Sequence, residues 1–284
     1  MLAGVLALLL LGMPPNLLSI FLILRAKQPK STTTYFLFNL AIADIVNLSA
    51  SLLTAVLELL STQDGKALWT TTVTSKAVAN VTLALIALER YNGLVKTMAP
   101  FVTMGKGKVK IILGVTWSVC IVSFMPAFVY AKLHNTGEKG TFVVIYYACC
   151  TVISFIVPLV VVGYCYGKIL KGVSHVSHGA TILAQNPANE TATEEKKRFI
   201  RIMVVVAVVF MACNLPAVVV KMLLVADQDV TVSRGLKITL TLLGCISSAV
   251  NPYIYGLHSK RYREQLRELF RCEHSEDEVM NVHV

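Results

Sequence analysis

Charge is the first thing this chain has little of. Only 15% of its 284 residues are charged and 55% are hydrophobic, whereas soluble domains carry roughly 25% charged residues. An ordinary water-facing surface is therefore excluded. The chain also lacks a nucleophile paired with a base, and it lacks a set of metal ligands: His175 and His178 stand three apart with no third partner. Enzymatic and metal-binding readings have nothing to rest on. Cysteine is missing from the segments between apolar stretches. Cys120, Cys149, Cys150, Cys165, Cys213 and Cys245 fall inside such stretches and Cys272 lies near the end, so an outer disulfide is left only to Cys149 or Cys150. No internal repeat of the kind secondary transporters show is visible.

What is present is apolar sequence in membrane-length runs. A spanning helix needs about 20 mostly apolar residues, and seven stretches qualify, near 1–24, 35–60, 69–95, 109–131, 142–170, 199–225 and 235–257. The expected fold is an all-α membrane protein, a seven-helix transmembrane bundle forming one domain over residues 1–284. The first stretch has no basic lead and runs through Pro14, Pro15 and Asn16 into a second apolar run, so it reads as a span and not as a signal peptide. Gly172 to Glu194 is the long polar connection, expected to be a loop. In segment 258–272, Tyr262, Leu266, Leu269 and Phe270 recur at helical spacing opposite Lys260, Arg261, Arg263 and Arg267. That pattern predicts an amphipathic eighth helix on the inner leaflet, ended by Cys272 as a palmitoylation site and followed by a cytoplasmic tail over 273–284.

A net charge of +10 would suggest nucleic acid in a soluble protein, but here its distribution excludes that partner. Basic residues cluster at Arg25 to Lys30, Lys96 to Lys110, Lys168 to Arg201 and Lys260 to Arg271, and the opposite loops hold only Lys66, Lys132, Lys139, Arg234 and Lys237. Positive residues favour the cytoplasm, so the N-terminus is expected outside and the C-terminus inside, at the plasma membrane. The acceptor patterns at Asn47, Asn80 and Asn189 then fall in spans or in a cytoplasmic loop and read as chance matches.

Charges at bilayer depth are costly and normally serve a pathway or a switch. Asp44, Lys76 and Arg90 are the ones to explain. Asp44 lies mid-span, too deep to reach either surface, and Arg90 follows Glu89 at the inner end of the third stretch. These residues belong to an ordered series: Asn16; Leu40 to Asp44; Glu89-Arg90-Tyr91; Trp117; Pro158 with Tyr166; Phe210 with Cys213 and Pro216; Asn251-Pro252-Tyr253-Ile254-Tyr255. The series resembles the hallmark set of rhodopsin-like (class A) G-protein-coupled receptors, span by span, over nearly the whole chain. The resemblance implies a receptor that passes binding of an extracellular ligand to a heterotrimeric G protein by promoting nucleotide exchange on its α subunit, with arrestin-type regulators and membrane lipids as further partners. It implies that Glu89 holds Arg90 at rest, and that Arg90 is then released toward Tyr166, Tyr255 and the Gα end, with Pro158, Pro216 and Pro252 bending their helices.

The series is not complete. Asn214 stands where the family usually has tryptophan, and as a buried amide it is expected to join the polar network of Asp44, Ser247, Ser248, Asn251 and Asn16. Ala79 replaces the serine that usually completes a sodium site near Asp44, which leaves sodium open. The resting acid at the foot of the sixth span falls on Lys196, with Glu195 one residue off, a departure that implies high basal activity. Gly65 stands near the usual disulfide cysteine. Cys245 occupies the opsin lysine position, so retinal is not expected, and Thr72 replaces the aspartate of monoamine receptors. Thr72, Lys76, Ala79, Leu83, Ile86 and Arg90 share one helical face, with Lys76 about 21 Å above Arg90. An anionic ligand is expected at Lys76, with Thr72, Lys221 and Lys237 around it; the competing reading pairs Lys76 internally with Glu58. The alternative function is an ion- or proton-coupled transporter using Asp44 and Lys76.

Overall fold

The computed structural model describes residues 2–25, 31–59, 65–94, 105–133, 145–146, 149–150, 152–180, 204–220, 222–223, 232–258, 263–264 and 267. Seven long helices appear among these residues: α1 (Leu2–Arg25), α2 (Thr32–Leu59), α3 (Gly65–Leu94), α4 (Lys106–Leu133), α5 (Val157–Ala180), α6 (Val204–Val220) and α7 (Arg234–His258). A π-helical turn, Val152–Ile156, leads into α5. Each helix falls on one of the seven apolar stretches, and no strand occurs among the described residues. Of the expected eighth helix only Arg263, Glu264 and Arg267 are described, all helical; the rest of 258–272, Cys272 and the tail lie outside the described residues.

One boundary differs from expectation. The Gly172–Glu194 segment was expected to be a loop from its first residue, but α5 continues through Gly172 to Ala180. Nothing in that sequence stops a helix: the first proline beyond α5 is Pro187, and polar side chains such as Ser174 and His175 do not prevent the backbone from bonding within itself.

The distribution of side chains inverts that of a water-soluble fold. Leu10 is 75% exposed, Ile111 68%, Val122 67% and Ile153 65%, while Asn16, Asn39, Asp44, Asn47, Asn80 and Asn251 are buried. Hydrocarbon tolerates the first group, and the second must find partners inside. Helices Thr32–Leu57, Thr70–Asn92, Lys106–Pro126 and Val152–Ile169 are long and apolar enough to cross a membrane, and Leu9–Arg25 and Val204–Val220 are shorter apolar helices. The α7 helix buries Ser247, Ser248 and Asn251 on one face. The chain is a multi-pass membrane protein.

Packing runs through α3, which lies against α2, α4 and α5, while α1 packs on α2 and α7. One apolar cluster joins Phe36, Ile86, Val162 and Ile169, with Val204 and Ala207 of α6 against it. A second joins Leu40, Val78, Phe124, Val206 and Ile254. The α1–α2–α7 corner is filled by Leu9, Leu48, Ala55 and Cys245. There the backbones approach closely: a Cβ on Gly12 would lie 2.8 Å from Ala249 Cβ and 2.9 Å from Leu48 Cδ1. Small residues permit such contact where lipid offers no hydrophobic drive between helices.

Prolines interrupt α1 at Pro14 and Pro15, α4 at Pro126 and α7 at Pro252; Pro158 opens α5 and Pro216 lies in α6. Each removes the amide that would bond the carbonyl four residues back. Three of the freed carbonyls take a side chain from another helix. Tyr253 Oη donates to Leu11 O at 2.7 Å, Asn16 Nδ2 to Ser248 O at 3.1 Å, and Asn80 Nδ2 to Ser154 O at 2.8 Å. Near Pro126, Tyr146 donates to Ser123 O, one residue beyond the carbonyl that this proline frees.

Gly12→Val should cost about 1–3 kcal/mol through overpacking and lower the melting temperature of the purified protein. Gly163→Ala, where a Cβ meets nothing within 4 Å, is the control expected to leave it unchanged.

Candidate functional site

The C-terminal end of α3 carries the first cluster. Ser31 caps α2, its hydroxyl accepting from the Thr34 amide at 3.3 Å, as short hydroxyl side chains do at helix starts. That start fixes buried Thr33 opposite the end of α3. Thr33 Oγ1 donates to Glu89 Oε2 at 2.7 Å, and Arg90 Nη2 donates to the same threonine oxygen. Arg90 also pairs with Glu89 at 3.8 Å. Around them, Tyr91 meets Tyr164 edge-on at 6.0 Å, and Tyr166 is buried with Ile86 and Ile169. Glu89 and Arg90 are thus brought together as expected, and Thr33 is an addition that sequence reasoning missed. Its only signal was a run of threonines opening an otherwise apolar helix. Pro252 is buried in α7, while the side chain of Tyr255, together with Glu195 and Lys196, lies outside the described residues.

A second cluster sits at mid-membrane. Asn251 Nδ2 donates to Asp44 Oδ2 at 2.8 Å, and Ser248 bonds the same carboxylate. Asn47 donates to Ser248 Oγ at 2.9 Å, one helical turn from Asp44. Asn16 reaches Gly12 O at 2.9 Å as well as the Ser248 carbonyl. Of the expected network, Asp44, Ser248 and Asn251 meet directly, and Asn16 joins through a backbone. Ser247 turns to Gly244 O of its own helix at 2.8 Å. Asn47 was missed, although its spacing from Asp44 put both on one face.

Asn214 corrects an expectation. Its amide donates to Phe210 O at 2.9 Å within α6 and not to the Asp44 network. A side-chain amide on a helix has the carbonyl four residues back within reach, and that local acceptor wins over one on another helix. Phe210 in turn stacks on Phe155 at 5.9 Å, beside buried Pro158. Cys213, which is buried, and Pro216, which is half-buried, lie on the same helix.

Two further amides tie the bundle. Asn39 Nδ2 donates to Thr82 Oγ1 at 2.8 Å and its oxygen accepts from Trp117 Nε1 at 2.8 Å, joining α2, α3 and α4. Asn80 holds the Ser154 carbonyl at the π-helical turn.

Lys76 lies six residues before Thr82 on α3. Its ammonium rests against Gly244 of α7, in the space a side chain there would fill, with Cys245 of α7 and Cys213 of α6 beside it. No carboxylate among the described residues pairs with it. Thr72 returns its hydroxyl to Leu68 O at 3.3 Å, and Lys237 is exposed in the first turn of α7. Lys221 and the side chain of Glu58 lie outside the described residues. Gly244 is the residue sequence reasoning overlooked here.

Comparison with known proteins agrees with this arrangement. The family described as 7 transmembrane receptor (rhodopsin family) matches residues 15–255. Rhodopsin of Sminthopsis crassicaudata is 24% identical over 93% of this chain and 80% of its own length. Neuropeptide Y receptor type 2 of Macaca mulatta is 24% identical over 96% and 76%, and galanin receptor type 1 of Rattus norvegicus is 26% identical over 92% and 79%. The transporter alternative gains no support from these matches. The chain belongs to the rhodopsin family of seven-transmembrane receptors and is a G-protein-coupled receptor, a signalling protein and not an enzyme.

Proposed function

We propose that this receptor sits in the plasma membrane with its N-terminus outside, takes an anionic extracellular ligand at Lys76, and promotes nucleotide exchange on Gα by releasing Arg90. The observation that carries the proposal is the pair of sites on one helix: an ammonium at the outer half of α3 and, about 21 Å below it, a guanidinium held by Glu89 and Thr33. Differential ligand contact with two states is what shifts a receptor population. A carboxylate or phosphate docked on Lys76 would draw on α3, α6 and α7 together, because the ammonium rests between them. The uneven distribution of basic residues supports the orientation.

In this reading Tyr166, Tyr255, Asn251 and Pro252 form the inner receiving surface, open to Gα and to arrestin-type regulators. Pro158, Pro216, Phe210 and Cys213 carry the bend between the two ends. Lys221, Lys237 and Thr72 border the ligand site, and Cys272 anchors the segment after α7 in membrane lipid through an acyl chain. Sodium belongs to the proposal at Asp44, whose carboxylate and the Ser248 hydroxyl are oxygen donors of suitable chemistry; Ala79 contributes none, and Ser247 is turned to Gly244 O.

Three measurements test the proposal. Agonist-independent nucleotide exchange by purified G protein should exceed that of Arg90→Ala in matched membranes, and equal rates at equal receptor levels would count against it. Thr33→Val removes one hydrogen bond from each of Glu89 and Arg90 and should raise basal exchange severalfold, since a bond to a charged group contributes about 1.5–3 kcal/mol. For an identified acidic agonist, Lys76→Ala should abolish the response while surface expression is kept; unchanged potency would sink the anionic-ligand reading.

A further inference from the structure

We propose that Tyr253 is a positioning residue of the switch: its hydroxyl, bonded to the Leu11 carbonyl that Pro15 leaves free, holds the inner half of α7 against α1 while Arg90 is restrained. The inference rests on the Arg90 switch described under the proposed function.

The geometry is reciprocal. Pro15 in α1 strands the carbonyl of Leu11, and α7 supplies the donor from Tyr253 at 2.7 Å. Pro252 in α7 strands the carbonyl of Ser248, and α1 supplies the donor from Asn16 at 3.1 Å. Between the two bonds, Gly12 touches Ala249, so the two helices are in contact where the exchange occurs. Side chains on a helix lean toward its N-terminus, which carries the Tyr253 hydroxyl upward from its own turn to the level of Leu11.

The two bonds differ in surroundings. Asn16 and Ser248 are buried, with Asp44 and Asn47 close by, whereas Leu11 and Tyr253 are exposed at 58% and 45%. That exposed face meets lipid. The Leu11 carbonyl has no water to turn to there, and an unsatisfied backbone group in hydrocarbon is costly. Tyr253 thus satisfies a group that is otherwise stranded by the local sequence.

The consequence for signalling follows from position. Tyr253 lies in the same turn as Pro252 and two residues before Tyr255, and Asn251 beside it holds Asp44. In the proposed switch the inner end of α7 moves toward a released Arg90 on α3, away from the α1 and α2 helices it packs on at rest. The α1 helix lies on α2 and α7, so that movement draws Tyr253 away from Leu11 and breaks the bond. The bond therefore favours the restrained state.

The test is a double-mutant cycle in the full-length receptor, reconstituted with purified heterotrimeric G protein and compared at equal receptor amounts. Tyr253→Phe should raise basal nucleotide exchange roughly fivefold, the scale of one hydrogen bond. Pro15→Ala restores an amide to the Leu11 carbonyl, and in that background Tyr253→Phe should change exchange by less than about twofold. No rise in the native background, or the same rise in both, overturns the proposal. A fluorophore on His258→Cys, at the inner end of α7, with Cys149 and Cys272 replaced by serine, reads the same cycle without G protein. Its spectrum should shift with Tyr253→Phe only when Pro15 is present, and an unchanged spectrum overturns the latch even where coupling is intact. Should the phenylalanine variant not fold, 4-aminophenylalanine at 253 should preserve low basal exchange and 4-fluorophenylalanine should not; equal behaviour of the two overturns the proposal. Arg90→Ala in the same membranes reports whether coupling itself is present.

Discussion

A carbonyl freed inside a membrane helix has nowhere to go but another part of the protein. Water is absent from the hydrocarbon region, so every backbone acceptor that a proline strands must be met by a donor from the bundle. This chain places prolines in most of its spans, and the donors that answer them are also the residues that join its helices: Asn16 and Tyr253 between α1 and α7, and Asn80 between α3 and α5. Bends and ties therefore occur at the same places. A helix bent by proline is softer at that point, and the tie that satisfies the freed carbonyl decides which neighbour restrains it.

Close approach of backbones is the second requirement, because these side-chain amides are short. Gly12 lets α1 sit on Ala249 and Leu48, which brings Asn16 within reach of Ser248. Gly244 leaves the room that the Lys76 ammonium occupies. In a soluble core such glycines would weaken a helix by about 1 kcal/mol relative to alanine. Here they allow contacts and polar bonds that a larger residue would block, and the mid-membrane network of Asp44, Asn47, Ser248 and Asn251 depends on that proximity.

Much of this was legible in the sequence because it broke a rule of composition. Asp44, Lys76 and Arg90 are charges in apolar stretches, the seven membrane-length stretches marked the helices, and the ordered series from Asn16 to Tyr255 carried the family resemblance. Thr33, Asn47, Asn80 and Tyr253 were not legible. Neutral polar residues do not disturb an apolar stretch, and their partners are fixed by helix rotation and depth, which one sequence does not reveal. Asn80 was read only as a chance glycosylation pattern, yet its partner carbonyl could have been inferred from Pro158. Asn214 shows the opposite error. A buried amide needs a partner, but the backbone of its own helix supplied one before the distant carboxylate could. The helical continuation to Ala180 was missed because polarity was taken to mean loop, although polarity alone does not break a helix.

Among the described residues, the restraint on Arg90 runs to α2. Glu89 is its neighbour on the same helix, so the Glu89–Arg90 pair moves with α3 and ties it to nothing. The inter-helix part of the restraint given by the described residues is Thr33, on α2. Yet α2 is already fixed to α3 at mid-membrane by Asn39 and Thr82, and to α4 through Trp117. Holding Arg90 to α2 therefore keeps the arginine folded against its own side of the bundle and leaves the inner end of α6 unrestrained by that bond. Displacement of α6 would break no hydrogen bond to Arg90 from Thr33 or Glu89. Among the described residues of α6, opening is opposed by apolar packing of Val204, Val206 and Ala207 against its neighbours. Packing of that kind is lost gradually with area, whereas a buried ion pair between two helices resists separation until it breaks.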